Sequence, residues 1–120
     1  MIALKKSQKI YLACGATDMR KSSNALSVLV RTAFKLDPLD NAMFVFCNRA
    51  RDILKILVWG GDGFWLHTKN LEKGRFEWPS ACHNEKVMTL TYRELEILIG
   101  GTLLASKFKR VDILDLNSAA

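Results

Sequence analysis

The chain has 120 residues, of which 49% are hydrophobic and 25% charged, and it carries a formal net charge of +6. That length suits one domain able to bury a core without help from disulfides or metal, and the balance is that of an ordinary soluble globular protein. No apolar run approaches the roughly 18–20 residues that a membrane span requires, and MIALKKSQKIYLACG lacks the long apolar stretch of a signal peptide, so a cytoplasmic protein without a membrane partner is expected.

The positive charge is unevenly spread. Residues 1–35 hold seven Lys or Arg against one acid, Asp18, whereas from Leu36 onward eleven basic residues balance eleven acidic ones. Such a one-sided excess suits a phosphate backbone or another acidic surface. The cysteines, Cys14, Cys47 and Cys82, are odd in number and far apart, which predicts reduced structural thiols rather than a disulfide framework.

In chain order, Ile10–Ala13 predicts a first strand, ended by Cys14-Gly15-Ala16-Thr17-Asp18. Leu26, Leu29, Val30, Ala33 and Phe34 then recur at helical spacing. They mark one face of a helix over about 19–35, with Asp18 as its candidate N-cap and Asp37-Pro38 as its stop. Met43–Cys47 and Ile53–Trp59 are apolar, strand-sized runs joined by Asn48-Arg49-Ala50-Arg51-Asp52. Their nearly unbroken apolar character predicts a central position with both faces covered.

Gly60-Gly61-Asp62-Gly63 supplies a tight reversal, Phe64–Thr68 a third strand of the meander, and Arg75–Trp78 a further strand ended by Pro79. Ser80–Met88 reads as polar and irregular. Thr91-Tyr92-Arg93-Glu94 has capping-box spacing, with Leu90 and Leu95 as a hydrophobic staple, so a second helix is predicted over 91–100. Together these give an α+β fold: a mainly antiparallel sheet of about five strands (meander 43–78) with two helices, in a single domain over residues 1–101. A C-terminal tail, 102–120, carries the basic run Lys107–Arg110 and is expected to lack, in part, a fixed element.

No catalytic constellation emerges. Cys82-His83 is the one close pair of metal-ligating type, and adjacent residues on an extended chain point to opposite sides. Gly60–Gly63 has neither the lysine nor the following helix of a phosphate-cradling loop. Asp18, Asp52, Asp62 and Glu72 lie mostly in turns beside basic residues, where they serve as turn formers rather than as a two-metal site. A non-enzyme without metal or cofactor is expected. What remains is basic–aromatic interleaving: Trp59, Trp65, Phe76 and Trp78 as stacking rings, among Arg49, Arg51, Lys55, Lys69, Lys73 and Arg75 for phosphate contact. Trp59 and Phe64 are expected in the core, and Trp65 or Trp78 as the exposed ring.

The strings ATDMRKS (16–22), MFVFCNRARDILKILVWGGDGFWL (43–66) and KNLEKGRFEWP (69–79) resemble the small TnpB-type accessory protein encoded by the second open reading frame of the sixty-six group of bacterial insertion sequences. The resemblance runs from about Ile10 to Gly101. It departs from the family pattern at Ser23, Asn24 and Ala25, where relatives carry an aromatic and then an acid-glycine pair, and at Gly60, where they carry an acid. It implies a non-catalytic role in transposition beside a larger transposase, its expected partner; taken with the N-terminal excess of positive charge, it makes the DNA of the element ends a further expected partner. Arg20, Lys21, Arg49, Arg51, Lys55, Lys73 and Arg75 are the expected nucleic-acid contacts. Trp65, Lys69, Glu72, Phe76 and Trp78 are the expected protein-partner contacts. A docking subunit that never touches DNA and a small metal-dependent nuclease are the alternatives.

Overall fold

A computed structural model describes residues 8–79 and 86–100. In chain order the elements are β1 (Lys9–Ala13), α1 (Ser23–Thr32), β2 (Ala42–Cys47), β3 (Ile53–Trp59), β4 (Phe64–Asn70), β5 (Val87–Leu90) and α2 (Tyr92–Ile99). The strands form one sheet in the order β4-β3-β2-β1-β5. Every residue of β2 is buried, as expected of the middle strand of a sheet covered on both faces.

Alternation along the strands sorts the core into two layers. Met43, Val45 and Cys47 face one side with Leu54 and Ile56, under Leu95 and Leu98 of α2. Phe44 and Phe46 face the other with Leu57, under Leu26 and Val30 of α1. Each helix therefore seals one face, and full burial of a Leu or Phe side chain contributes about 1.5–3 kcal/mol.

β2, β3 and β4 form the predicted antiparallel meander. β1 lies parallel to β2, with Ile10 opposite Met43, and antiparallel to β5; α1 is the crossover that a parallel pair requires. The sequence misplaces the fifth strand. Arg75–Trp78 pairs with no strand; the sheet is completed by Val87–Leu90, in a stretch that reads as irregular. The physical reason lies in Phe76 and Trp78, both of which insert into the core layer beneath α2. Backbone in that position bridges elements instead of extending a sheet edge, and β1 keeps a free side for β5.

The helix ends follow local chemistry. α2 has the predicted capping box: Glu94 N–H donates to Thr91 Oγ1 (3.0 Å) and Thr91 N–H donates to Glu94 Oε1 (2.8 Å). α1 starts later than the spacing predicts. Its cap is Ser22, whose Oγ accepts from Ala25 N–H at 3.3 Å, while Asp18 is engaged in its own turn. At the other end Lys35 takes a left-handed conformation (φ 59°), and Leu36 N–H returns to the Val30 carbonyl (3.1 Å). Cys47 is free and buried, and burial pushes its thiol up to about 12. Cys14 is disulfide-bonded, contrary to the expected reduced thiol. The tail 102–120 and the Cys82-His83 pair lie outside the described residues.

Candidate nucleic-acid interface

At the end of the sheet where parallel strands β1 and β2 finish, four separate stretches of chain are stitched together through their backbones. Thr17 N–H donates to the Cys47 carbonyl (2.8 Å), Gly15 N–H to the Pro79 carbonyl (2.9 Å) and Cys14 N–H to the Lys86 carbonyl (2.9 Å). Phe76 N–H donates to the Arg51 carbonyl (2.7 Å) and Leu71 N–H to the Asp52 carbonyl (2.8 Å). The β1–α1 loop, the β2–β3 turn and the 71–79 segment thus meet in space. With them come Arg20, Lys21, Arg49, Arg51, Lys73 and Arg75, which the sequence scatters over more than fifty positions. Lys86 joins them from the start of β5. The sequence gives no sign of this because Val87-Met88-Thr89-Leu90 follows a polar stretch; the apolar and β-branched residues of β5 are the one local signal of a strand there.

Two clefts open between these loops. One, of about 350 Å³, is bounded by Gly15, Ala16, Asn48, Arg49, Arg51, Trp78 and Pro79. The other, of about 460 Å³, shares Ala16 and is rimmed by Asp18, Lys21 and Lys86 over an apolar floor that includes Leu29 and Phe34.

The cations are not equivalent. Arg20 is held by Asp18: its Nη2 donates to Oδ2 at 2.8 Å and its Nε to Oδ1 at 3.0 Å, while Arg20 N–H also donates to Oδ1 at 2.9 Å. These hydrogen bonds keep the Asp18 carboxyl well below the usual carboxylate range. The pair is neutral as a unit, so Arg20 contributes less to a phosphate site than its sequence position implied. Lys55 is also committed, its Nζ donating to the Met19 carbonyl (2.7 Å); it fastens the β1–α1 loop to the sheet. Lys73 has an interaction partner. Lys21, Arg49, Arg51 and Arg75 form neither an ion pair nor a side-chain hydrogen bond among the described residues.

The β2–β3 turn is tightly built. Asn48 Oδ1 accepts from Asp52 N–H and Ile53 N–H, both at 3.0 Å, and its Nδ2 donates to Asp52 Oδ1 at 2.7 Å. Asp52 is thereby turned back into the turn. Arg49, Ala50 and Arg51 form an exposed tip, and Arg51 sits at φ 63°, in the left-handed region that favours glycine.

The residues expected to meet a protein partner divide in two. Phe76 and Trp78 are core, 1% and 8% exposed, and the Trp78 indole N–H donates to the Ala13 carbonyl (2.9 Å). They hold the basic end together and present no ring to a partner. Trp65 is 62% exposed. It lies on edge strand β4, its ring stacked on His67 with 5.9 Å between centres, and it crowds Gly60 so closely that a Cβ there would meet Trp65 Nε1 at 2.8 Å. Burial lowers the His67 pKa. Beside it a cleft of about 470 Å³ runs between β4 and Ile99 of α2. Across that cleft Lys69 Nζ donates to the Ile99 carbonyl (2.7 Å), a cation at a helix C-terminus. Glu72 is exposed in the turn after β4. Trp59 and Phe64, expected in the core, are half-buried and pack edge to face at the distal end of the meander. Among the described residues no group of three His, Cys, Asp or Glu is placed to hold a metal, and no helix is long and apolar enough to cross a membrane.

The class of protein is set by the family to which the sequence belongs, a family of accessory proteins of transposition. Residues 8–109 match the family described as IS66 Orf2 like protein, and the chain belongs to that family. It is 44% identical over 73 residues to uncharacterized protein y4hO of Sinorhizobium fredii (strain NBRC 101917 / NGR234), a stretch covering 61% of this chain and 64% of that protein. It is 32% identical over 101 residues to uncharacterized protein y4jC of the same strain, covering 84% of this chain and 85% of that one. No solved structure matches.

Proposed function

We propose that the accessory role is DNA binding, exerted through the loop end of the sheet, without catalysis by this chain. The observation that carries this reading is the convergence of Lys21, Arg49, Arg51, Arg75 and Lys86 from separate stretches of sequence onto one end, where none of these five forms an ion pair among the described residues. Exposed, unpaired guanidinium and ammonium groups exchange hydration and counterions for phosphates, which gives affinity with little sequence discrimination. The larger transposase of the element performs the strand chemistry, and this protein holds or orients the element-end DNA for it.

Fluorescence anisotropy with labelled element-end duplex tests this. With about four phosphates neutralised, log K should fall against log salt with a slope of about −3.6. Replacing Arg49, Arg51 and Arg75 by Ala should flatten the slope by roughly 2–3. Absence of binding at low salt removes direct DNA contact from the reading.

A second reading is a docking subunit of the transposase, and one observation favours it. Trp65 is a large exposed ring held in place by His67 and Gly60, and a rigid exposed tryptophan next to a cleft is the form of an interface anchor. Copurification with the transposase from nuclease-treated extract, lost in Trp65→Ala, would support this role.

A further inference from the structure

We propose that Arg49 and Arg51 enter the minor groove of duplex DNA, so that the tip of the β2–β3 hairpin selects DNA by groove width. This rests on the DNA-binding reading above and gives the tip a selective role in addition to its charge. β2 and β3 lie inside a five-stranded sheet sealed by a helix on each face. β2, flanked by β1 and β3 and covered on both faces, cannot itself lie in a groove, so contact with the bases falls to side chains projecting from the tip.

The tip is shaped for that reach. Arg49 and Arg51 flank Ala50, whose single methyl leaves nothing bulky to hold the duplex away. The neighbouring acid, Asp52, is drawn back onto Asn48. The turn cannot fold away, because Asn48 bridges its base and the Phe76 N–H holds the Arg51 carbonyl. Both cations are arginine, a planar and weakly hydrated group suited to the concentrated negative potential of a narrow, A-tract minor groove. Lys21, Arg75 and Lys86 on the surrounding loops are then placed for the flanking phosphates.

The test uses the full chain in anisotropy titrations at about 50 mM salt, with A-tract and G·C duplexes of equal length. Wild type should prefer the A-tract duplex by about tenfold, and netropsin, which fills the A·T minor groove, should displace it. Arg49→Lys/Arg51→Lys keeps the charge, so it should keep the salt slope while losing most of the preference. Arg51→Gly removes one charge and should flatten the slope by about 1 while also losing most of the preference, and it relieves the left-handed strain, so a loss cannot be assigned to misfolding. Lys35→Gly, the same relief at the opposite end of α1, should leave the preference intact. Binding that is equal on both duplexes and insensitive to netropsin overturns the groove assignment and leaves phosphate binding standing; no binding to either duplex overturns both.

Discussion

Strand β3 begins and ends in a hairpin turn, and the two turns solve the same backbone problem by opposite means. At Gly60–Gly63 the residue with positive φ is Gly61 (94°), which adopts it without steric cost. At Asn48–Asp52 the residue is Arg51 (63°), which adopts it at a cost of roughly 1–2 kcal/mol. The glycine turn has an internal Gly60 N–H to Gly63 carbonyl bond and an overlying Trp65 ring. The arginine turn has the Asn48 clamp and the Phe76–Trp78 segment docked behind it. One turn only reverses the chain. The other is held open at an energetic cost, with two unpaired cations at its tip, as a surface selected for contact would be.

The largest test of this contrast removes the support behind the arginine turn. Phe76→Ala should destabilise the protein by about 3–5 kcal/mol in urea unfolding, because a fully buried ring is lost. Next, Asn48→Ala strips the acceptor from the Asp52 and Ile53 amides and should cost about 2 kcal/mol. Asp62→Ala in the glycine turn should change stability by less than about 0.5 kcal/mol. Equal costs at the two positions would erase the distinction.

Reciprocal exchanges sharpen it. Arg51→Gly should raise stability by about 1 kcal/mol, and Gly61→Ala should lower it by about the same amount, read as opposite shifts in Tm. A destabilised Arg51→Gly would show that the arginine conformation carries no strain. Gly60→Ala should perturb stability by no more than about 1 kcal/mol. It must, however, push the Trp65 ring aside, which near-ultraviolet circular dichroism detects through loss of the ring's fixed orientation over His67.

The smallest effect concerns pH. Because the Asp18 pKa is depressed in the folded state by its hydrogen bonds with Arg20, the stabilisation is present above the unfolded carboxylate pKa near 3.9 and disappears as pH falls through the lower folded value. Acidification should first loosen the β1–α1 loop, seen as faster exchange of the Arg20 amide, while the Asn48 turn stays protected. Asp18→Asn should show the loosened loop at neutral pH.

Much of this architecture is legible in local sequence because local chemistry specifies it. The α2 capping box, the glycine reversal, the meander of β2 to β4 and the central burial of β2 follow from residue spacing and type. The failures have one cause. Asp18 looks like a helix cap until Arg20 claims its carboxylate, and Phe76 and Trp78 look like strand residues with exposed rings until the core takes them. Each outcome depends on which competing partner is nearer in space, and spacing along the chain does not reveal that.

The same division applies to the interface. Sequence alone determined the family signature, carried by its motif strings, and the fold class and the excess of positive charge, since periodicity and composition are properties of the chain itself. Only the tertiary structure decided which cations lie together at one end. Hydrogen bonds among the β1–α1 loop, the β2–β3 turn and the 71–79 segment bring Lys21, Arg49, Arg51, Arg75 and Lys86 to one end, while Asp18 neutralises Arg20 and Met19 occupies Lys55. Charge interactions depend on distance and solvation, and both are set by the folded chain.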